Sequence, residues 1–174
     1  RVGLVTFDHD IVEYVPPSMK HLDTILHLLD RASAGRAGSL REPLLKITEL
    51  LGRKGIVVIV SDLYERPEEV FNSISLLRAR GHDVIVFHVL DPAELSFPFE
   101  DSSSFEDLET REQIPVIPNR LRDDYKRLVA EHVETVQRRL TENRIDYVLL
   151  DTSKPLDLAL FQYLLARERW TRKR

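Results

Sequence analysis

Apolar residues recur along this chain in two rhythms, one of short unbroken runs and one of helical spacing. Ile56-Val57-Val58-Ile59-Val60 is five β-branched residues in succession, with no polar face, and it ends abruptly on Ser61-Asp62. Such a run predicts a strand buried on both faces in the middle of a parallel sheet. Residues 84–90 repeat the pattern and stop on Asp91, and residues 146–150 repeat it again and stop on Asp151-Thr152. Between these runs the spacing is helical. Pro67 opens a helix with Val70, Ile74 and Leu77 inward, and Gly81 is placed for a left-handed C-terminal cap. A long amphipathic stretch runs from Leu121 through Tyr125, Leu128, Val129, His132, Val133, Val136 and Leu140, and Pro155 opens a last helix carrying Leu158, Phe161, Leu164 and Leu165. Strand, helix, strand implies a right-handed parallel crossover.

The first fifty residues read differently. Residues 2–7 form a strand pattern, Asp8-His9-Asp10 suits a turn, and residues 11–15 form a second strand ending at Pro16-Pro17, which together predict a β-hairpin. Leu22, Ile25, Leu26 and Leu29 mark a helix over about 19–30, and residues 33–38 break it as a flexible loop. Ser39 and Glu42 have the spacing of a capping box ahead of Leu40, Leu44, Ile47, Leu50 and Leu51, with Gly52 and Gly55 ending that helix. Residues 92–119 leave the α/β rhythm. Phe97, Phe99 and Phe105 among acids, serines and prolines predict an ordered, irregular insertion with short antiparallel strands. Arg1 leads straight into a strand with no initiator Met, so a piece of a larger protein is expected.

Composition acts mainly by exclusion. The 174 residues are 43% apolar, enough for one domain with a real core. A net charge of −4 argues against general nucleic-acid binding, and the basic end around Trp170 reads as a solvated tail. The absence of cysteine removes disulfides and thiolate chemistry and is compatible with a reducing cytoplasm, the expected location. Apolar runs are strand-sized, so no membrane contact by this segment is expected.

Candidate chemistry gathers at strand ends, because ligands of open α/β sheets sit outside the carboxyl ends of the strands. Asp62 leads, although an Asp there also serves as a turn or helix-cap residue. Asp8, Asp91 and Asp151 stand at comparable places, and a shared rim of carboxylates would suit a hard cation such as magnesium. None of the six histidines has metal-ligand spacing, and His88 reads as a satisfied core residue. Glycine-rich phosphate loops, nucleophile elbows and dinucleotide fingerprints are absent.

Longer blocks carry a resemblance. Val2-Gly3-Leu4-Val5-Thr6-Phe7-Asp8, Tyr14-Val15-Pro16-Pro17, Ser61-Asp62-Leu63, Arg78-Ala79-Arg80-Gly81-His82-Asp83-Val84, Phe87-His88-Val89-Leu90-Asp91-Pro92-Ala93-Glu94-Leu95, Phe97-Pro98-Phe99, Phe105-Glu106-Asp107-Leu108-Glu109, Ile145-Asp146-Tyr147 and Asp151-Thr152 resemble the bacterial family called domain of unknown function fifty-eight. The resemblance spans essentially the whole chain. It implies an α/β, Rossmann-like sheet of the von Willebrand factor A type flanked by helices, here a single partial domain over 1–174 lacking its first strand. It also implies a non-enzymatic interaction module acting as adaptor or partner of a MoxR-type AAA+ ATPase.

Domains of that type hold a divalent ion through an Asp-x-Ser-x-Ser loop after the first strand, a later Thr and an Asp after the fourth strand. By this resemblance Asp62 matches the Asp, the first loop would lie upstream of Arg1, and the Thr position falls on Gly38, with Ser39 the nearest hydroxyl. The implied magnesium set is therefore Asp62 and Ser39, an incomplete one. The implied contact face for a partner is the rim of Asp8, Gly38, Ser39, Asp62 and Leu63. The first strand of such a sheet would lie between residues 2–7 and 56–60, so the chain by itself is expected to be weakly stable and to self-associate. The alternative is a Rossmann-like magnesium-dependent hydrolase or phosphoryl-transfer enzyme using Asp62, which needs a nucleophile and a general acid. A structural piece of a membrane-linked assembly is a third.

Overall fold

A computed structural model describes residues 1–33, 38–100, 103–106 and 113–171. β1 (Val2–Phe7) and β2 (Ile11–Ser18) pair as an antiparallel hairpin, followed by α1 (Leu22–Arg31) and α2 (Arg41–Leu50). β3 (Ile56–Ser61), α3 (Pro67–Ala79) and β4 (Asp83–Leu90) form the strand-helix-strand unit, with β3 and β4 parallel. The insertion contains α4 (Pro92–Ser96) and an antiparallel pair, β5 (Ser103–Glu106) and β6 (Gln113–Val116). The long helix α5 (Pro118–Glu142), the parallel strand β7 (Asp146–Asp151) and α6 (Leu156–Thr171) complete the order. The chain is thus mixed α/β, with a central parallel sheet of three strands flanked by helices. Most of the 33–38 loop, Leu108 and the last three basic residues lie outside the described residues.

The strand read as central is not central. The sheet order is β3-β4-β7, which puts β3 at an edge and β4 in the middle. A run of β-branched residues favours extended backbone wherever it sits, whereas its burial is decided by neighbours that the run does not encode. Ile59 joins Val84 and Val86 on one sheet face, where Leu44 and Ile47 of α2, Val70, Ile74 and Leu77 of α3, and Val136 and Leu140 of α5 close over them. Val5, Phe7 and Ile11 extend this core to the hairpin. Each such side chain is worth about 1.5–3 kcal/mol relative to exposure, so this face accounts for most of the cohesion. On the opposite face Ile56, Val58 and Val60 remain 65%, 50% and 63% exposed. There α6 covers β4 and β7 instead. Phe87 meets the Tyr163 ring edge-on at 5.8 Å, Tyr163 donates to Asp146 at 2.8 Å, and Arg167 bridges Asp146 at 2.9 Å and Asp83.

Helix ends depart from expectation in an instructive way. Ser39 and Glu42 do not form a capping box. Leu40 is already helical, and its amide donates to the carboxylate of Glu65 at 2.5 Å, a cap supplied from 25 residues away. The box that does form is Asp91 with Glu94 at the start of α4, where the Asp91 carboxylate also accepts from the Ala93 amide at 2.8 Å and the Glu94 carboxylate accepts from the Asp91 amide at 2.7 Å. Pro67 occupies the first turn of α3 and Gly81 takes φ +87, both as expected. β2 runs on through Pro16 and Pro17, because a ribbon strand with a single neighbour has an outer edge where a missing N–H breaks no ladder. Of the four apolar residues expected to bury α1, Ile25 does so and Leu22, Leu26 and Leu29 stay exposed.

The aromatic residues of the insertion are packed together on α5. Phe97 lies 4.6 Å from Tyr125 and 5.2 Å from Phe99, and Phe99 meets Phe105 edge-on at 4.9 Å. Arg122 ties this cluster down by donating to the carbonyls of Phe97 and Phe99, at 3.3 and 2.6 Å.

An edge strand with three exposed β-branched residues invites pairing with another chain. The chain is expected to self-associate with rising concentration in analytical ultracentrifugation, and Val58→Lys is expected to suppress it. A wild-type monomer across the accessible concentration range would refute this.

Candidate functional site

Four acids stand at or just past strand ends, and three of them are committed to local structure. Asp8 accepts from the Asp10 amide at 3.0 Å, holding the hairpin turn. Asp91 caps α4 and also receives the Thr152 hydroxyl at 3.3 Å. Asp151 accepts from the Ser153 amide and hydroxyl at 3.0 and 2.6 Å and pairs with Lys154, so its pKa falls below the carboxylate norm, chiefly through the Ser153 hydroxyl. Asp62 differs. Its carboxylate is exposed and receives only a long bond from the Ser61 hydroxyl, 3.4 Å, among the described residues.

Around Asp62 the rim is assembled from three segments. The Ser39 amide donates to the Asp8 carbonyl at 3.2 Å, which sets Gly38 and Ser39 against the end of β1. A Cβ on Gly38 would meet that same carbonyl at 3.4 Å, an ordinary contact. The Glu65 bond to the Leu40 amide then ties the loop after β3 to the start of α2. Asp8, Gly38, Ser39 and the Asp62 loop are therefore cross-linked by hydrogen bonds into one edge. Leu63 belongs to this edge through its backbone alone, since its side chain is 1% exposed and part of the core. An open groove of about 520 Å³ adjoins it between α2 and α3, lined by Ser39, Arg41, Glu65, Glu69 and Asn72.

Beneath the rim lies His88 on β4, 0% exposed. Its Nε2 lies 2.7 Å from the Asp62 carbonyl and its Nδ1 2.7 Å from the Tyr147 hydroxyl on β7. Nε2 therefore carries the proton, and Tyr147 donates to Nδ1. Burial pushes the His88 pKa down to about 4, against the opposing pull of the Asp62 carbonyl. Burial likewise pushes the Tyr147 phenol upward. His132 on α5 places its Nε2 3.0 Å from the Leu63 carbonyl. Sequence reasoning had marked His88 as a core residue, but it missed Glu65, His132 and Tyr147. An imidazole inside an apolar strand signals that partners must exist, and nothing in the spacing says which ones.

A family model described as "Protein of unknown function DUF58" matches residues 1–135. The chain belongs to this family. No curated protein and no solved structure matches it. The matched region of this DUF58 chain contains the whole rim, from Asp8 to Glu65, and His88 and His132 beneath it.

The donors that the described residues place at the rim fall short of a full magnesium set. Magnesium takes six oxygens in near-octahedral geometry and is held by more than one anchored carboxylate or phosphate oxygen when it binds tightly. The described residues contain no group of three histidine or acidic side chains placed to hold a metal, and Gly38 brings no side-chain oxygen. Asp62 and Ser39 are all that the rim offers of the implied set.

Two outcomes follow. Calorimetric titration with magnesium is expected to give no submillimolar binding, and such binding abolished by Asp62→Ala would reverse this. For His88 the folded chain refuses a proton that the unfolded chain accepts below its ordinary value of 6.5. Stability is therefore expected to fall as pH drops from 6.5 to about 4, by up to ~3 kcal/mol from this group. Urea midpoints across that window should show a flatter dependence in His88→Gln; equal slopes would disprove the assignment.

Proposed function

We propose that this chain is a non-enzymatic protein-interaction module of the von Willebrand A type, and that the edge built by Asp8, Gly38, Ser39 and Asp62 is its contact face. The observation that carries the reading is the cross-linking of that edge. Three chain segments far apart in sequence are joined through the Asp8 carbonyl, the Ser39 amide and the Glu65 carboxylate, and on one of them stands Asp62, whose carboxylate receives only the long Ser61 bond among the described residues. Binding residues are disproportionately carried on loops that a rigid scaffold positions, and Asp62 stands on such a loop. A parallel sheet flanked by helices with the loops at its carboxyl end is compatible with the von Willebrand A arrangement.

The partner proposed is a MoxR-type AAA+ ATPase, as the family resemblance implies, met in the cytoplasm. Its complementary surface would bring a lysine or arginine to Asp62, since an exposed carboxylate gains most from a charged donor. No step requires a metal or a reaction. Among the described residues no helix is long and apolar enough to cross a membrane.

Capture of a MoxR-type AAA+ ATPase by the immobilised chain tests both halves. Asp62→Lys, which replaces attraction by repulsion, is expected to weaken capture about tenfold or more, roughly 1.4 kcal/mol. A folded Asp62→Lys variant that captures as well as wild type would sink this face, and no capture by wild type would sink this partner.

A further inference from the structure

The turn after β3 is held in a conformation its own residues do not favour. Leu63 has φ +52, in the left-handed region where a branched side chain is rarely found. No glycine, asparagine or aspartate stands at that position to make it easy. Its neighbours supply the reason it persists. Successive carbonyls, those of Asp62 and Leu63, point at two imidazoles that approach from different elements, His88 on β4 and His132 on α5. A carbonyl oxygen can only accept, so each facing Nε2 is the protonated nitrogen of its ring. The two rings lie edge to face, 6.0 Å apart, and Tyr147 on β7 locks the first by donating to its Nδ1. On the other side of the turn, the Leu63 amide donates to the Ser61 hydroxyl at 3.2 Å.

We infer that His88 and His132 are positioning residues which clamp the Asp62–Leu63 turn through its two carbonyls and thereby hold the Asp62 carboxylate out at the rim. This deepens the reading of the rim as a contact face and rests on it for its purpose. Each carbonyl thereby gives one of its acceptor positions to an imidazole, which fixes the direction of the turn's backbone beneath the Asp62 carboxylate. The two histidines divide the work. His88 is sealed in the sheet and fixes one end of the turn permanently, whereas His132 is half-buried on a helix whose other attachments include the Tyr125 contact with Phe97. The turn is thereby tied to α5, with Tyr125 and His132 two turns apart on it, and Tyr64 beside it also bonds to Glu94 of the insertion.

Amide exchange by NMR tests the clamp without any partner. In His132→Leu, exchange at the Leu63 amide, which bonds the Ser61 hydroxyl, is expected to quicken by about tenfold or more while the amides of β4 keep their protection. His132→Gln, whose side-chain N–H can reach the same carbonyl, is expected to restore most of it. Imidazole nitrogen shifts should show both His88 and His132 protonated at Nε2. Equal exchange in wild type and His132→Leu, or a His132 ring protonated at Nδ1 alone, would overturn the clamp. If the clamp holds while ATPase capture fails, the partner is wrong and the turn mechanism stands. If exchange is unmoved while Asp62→Lys abolishes capture, the contact face stands and the clamp falls.

Discussion

An imidazole buried at the centre of a parallel sheet must find a partner for each ring nitrogen or forfeit the free energy of desolvating it, about 1–3 kcal/mol per unmet group. His88 sits in such a place, on β4, the middle strand of the sheet, which is buried on both faces. Its two hydrogen bonds run sideways to β7 and upward to the exit of β3, so satisfying one side chain fixes the relation of all three parallel strands at their carboxyl ends. A valine there would pack as well and specify less. The polar residue converts a general preference for burial into a particular geometry at the rim.

The same division between covered and uncovered surfaces explains the asymmetry of the sheet. One face carries three helices and the hairpin, and its residues are almost wholly removed from water. The other carries α6, whose apolar residues are shared between a contact with β4 and solvent, with Phe161 and Leu164 each 60% exposed. Apolar side chains in water on both β3 and α6 mark this as the face where the chain is least complete in itself. The rim lies at the end of the sheet rather than on this face.

Much of this was readable beforehand. Periodicity located the strands at residues 56–60, 84–90 and 146–150, the helices opened by Pro67 and Pro155, and the glycine turn at Gly81, because these depend on local sterics and on a side-chain repeat that any window reveals. Asp62 was readable as the acid at a strand end. What escaped was everything set by partners distant in sequence. β3 looks central by composition and is an edge by topology. Ser39 has the spacing of a cap, yet Glu65 does the capping. Leu63 and Phe97 adopt positive φ without being glycine, which tertiary bonds impose and no local pattern announces. His132 looked like one more residue on an amphipathic face.

Arg167 shows how a polar contact can settle a question that hydrophobic packing leaves open. Parallel strands lined with valine, isoleucine and leucine could slide past one another by two residues and still present apolar side chains to the same face. β4 and β7 begin with Asp83 and Asp146, and Ile85 lies opposite Asp146 in the observed pairing. One guanidinium reaches both carboxylates from α6. Displaced by a pleat in one direction the two acids would stand about 7 Å further apart, too far for a single fork to grip, whereas the opposite displacement would bring them side by side. The ion pair therefore acts as an alignment mark: its worth lies less in the energy it adds than in the alternative pairings it makes unequal.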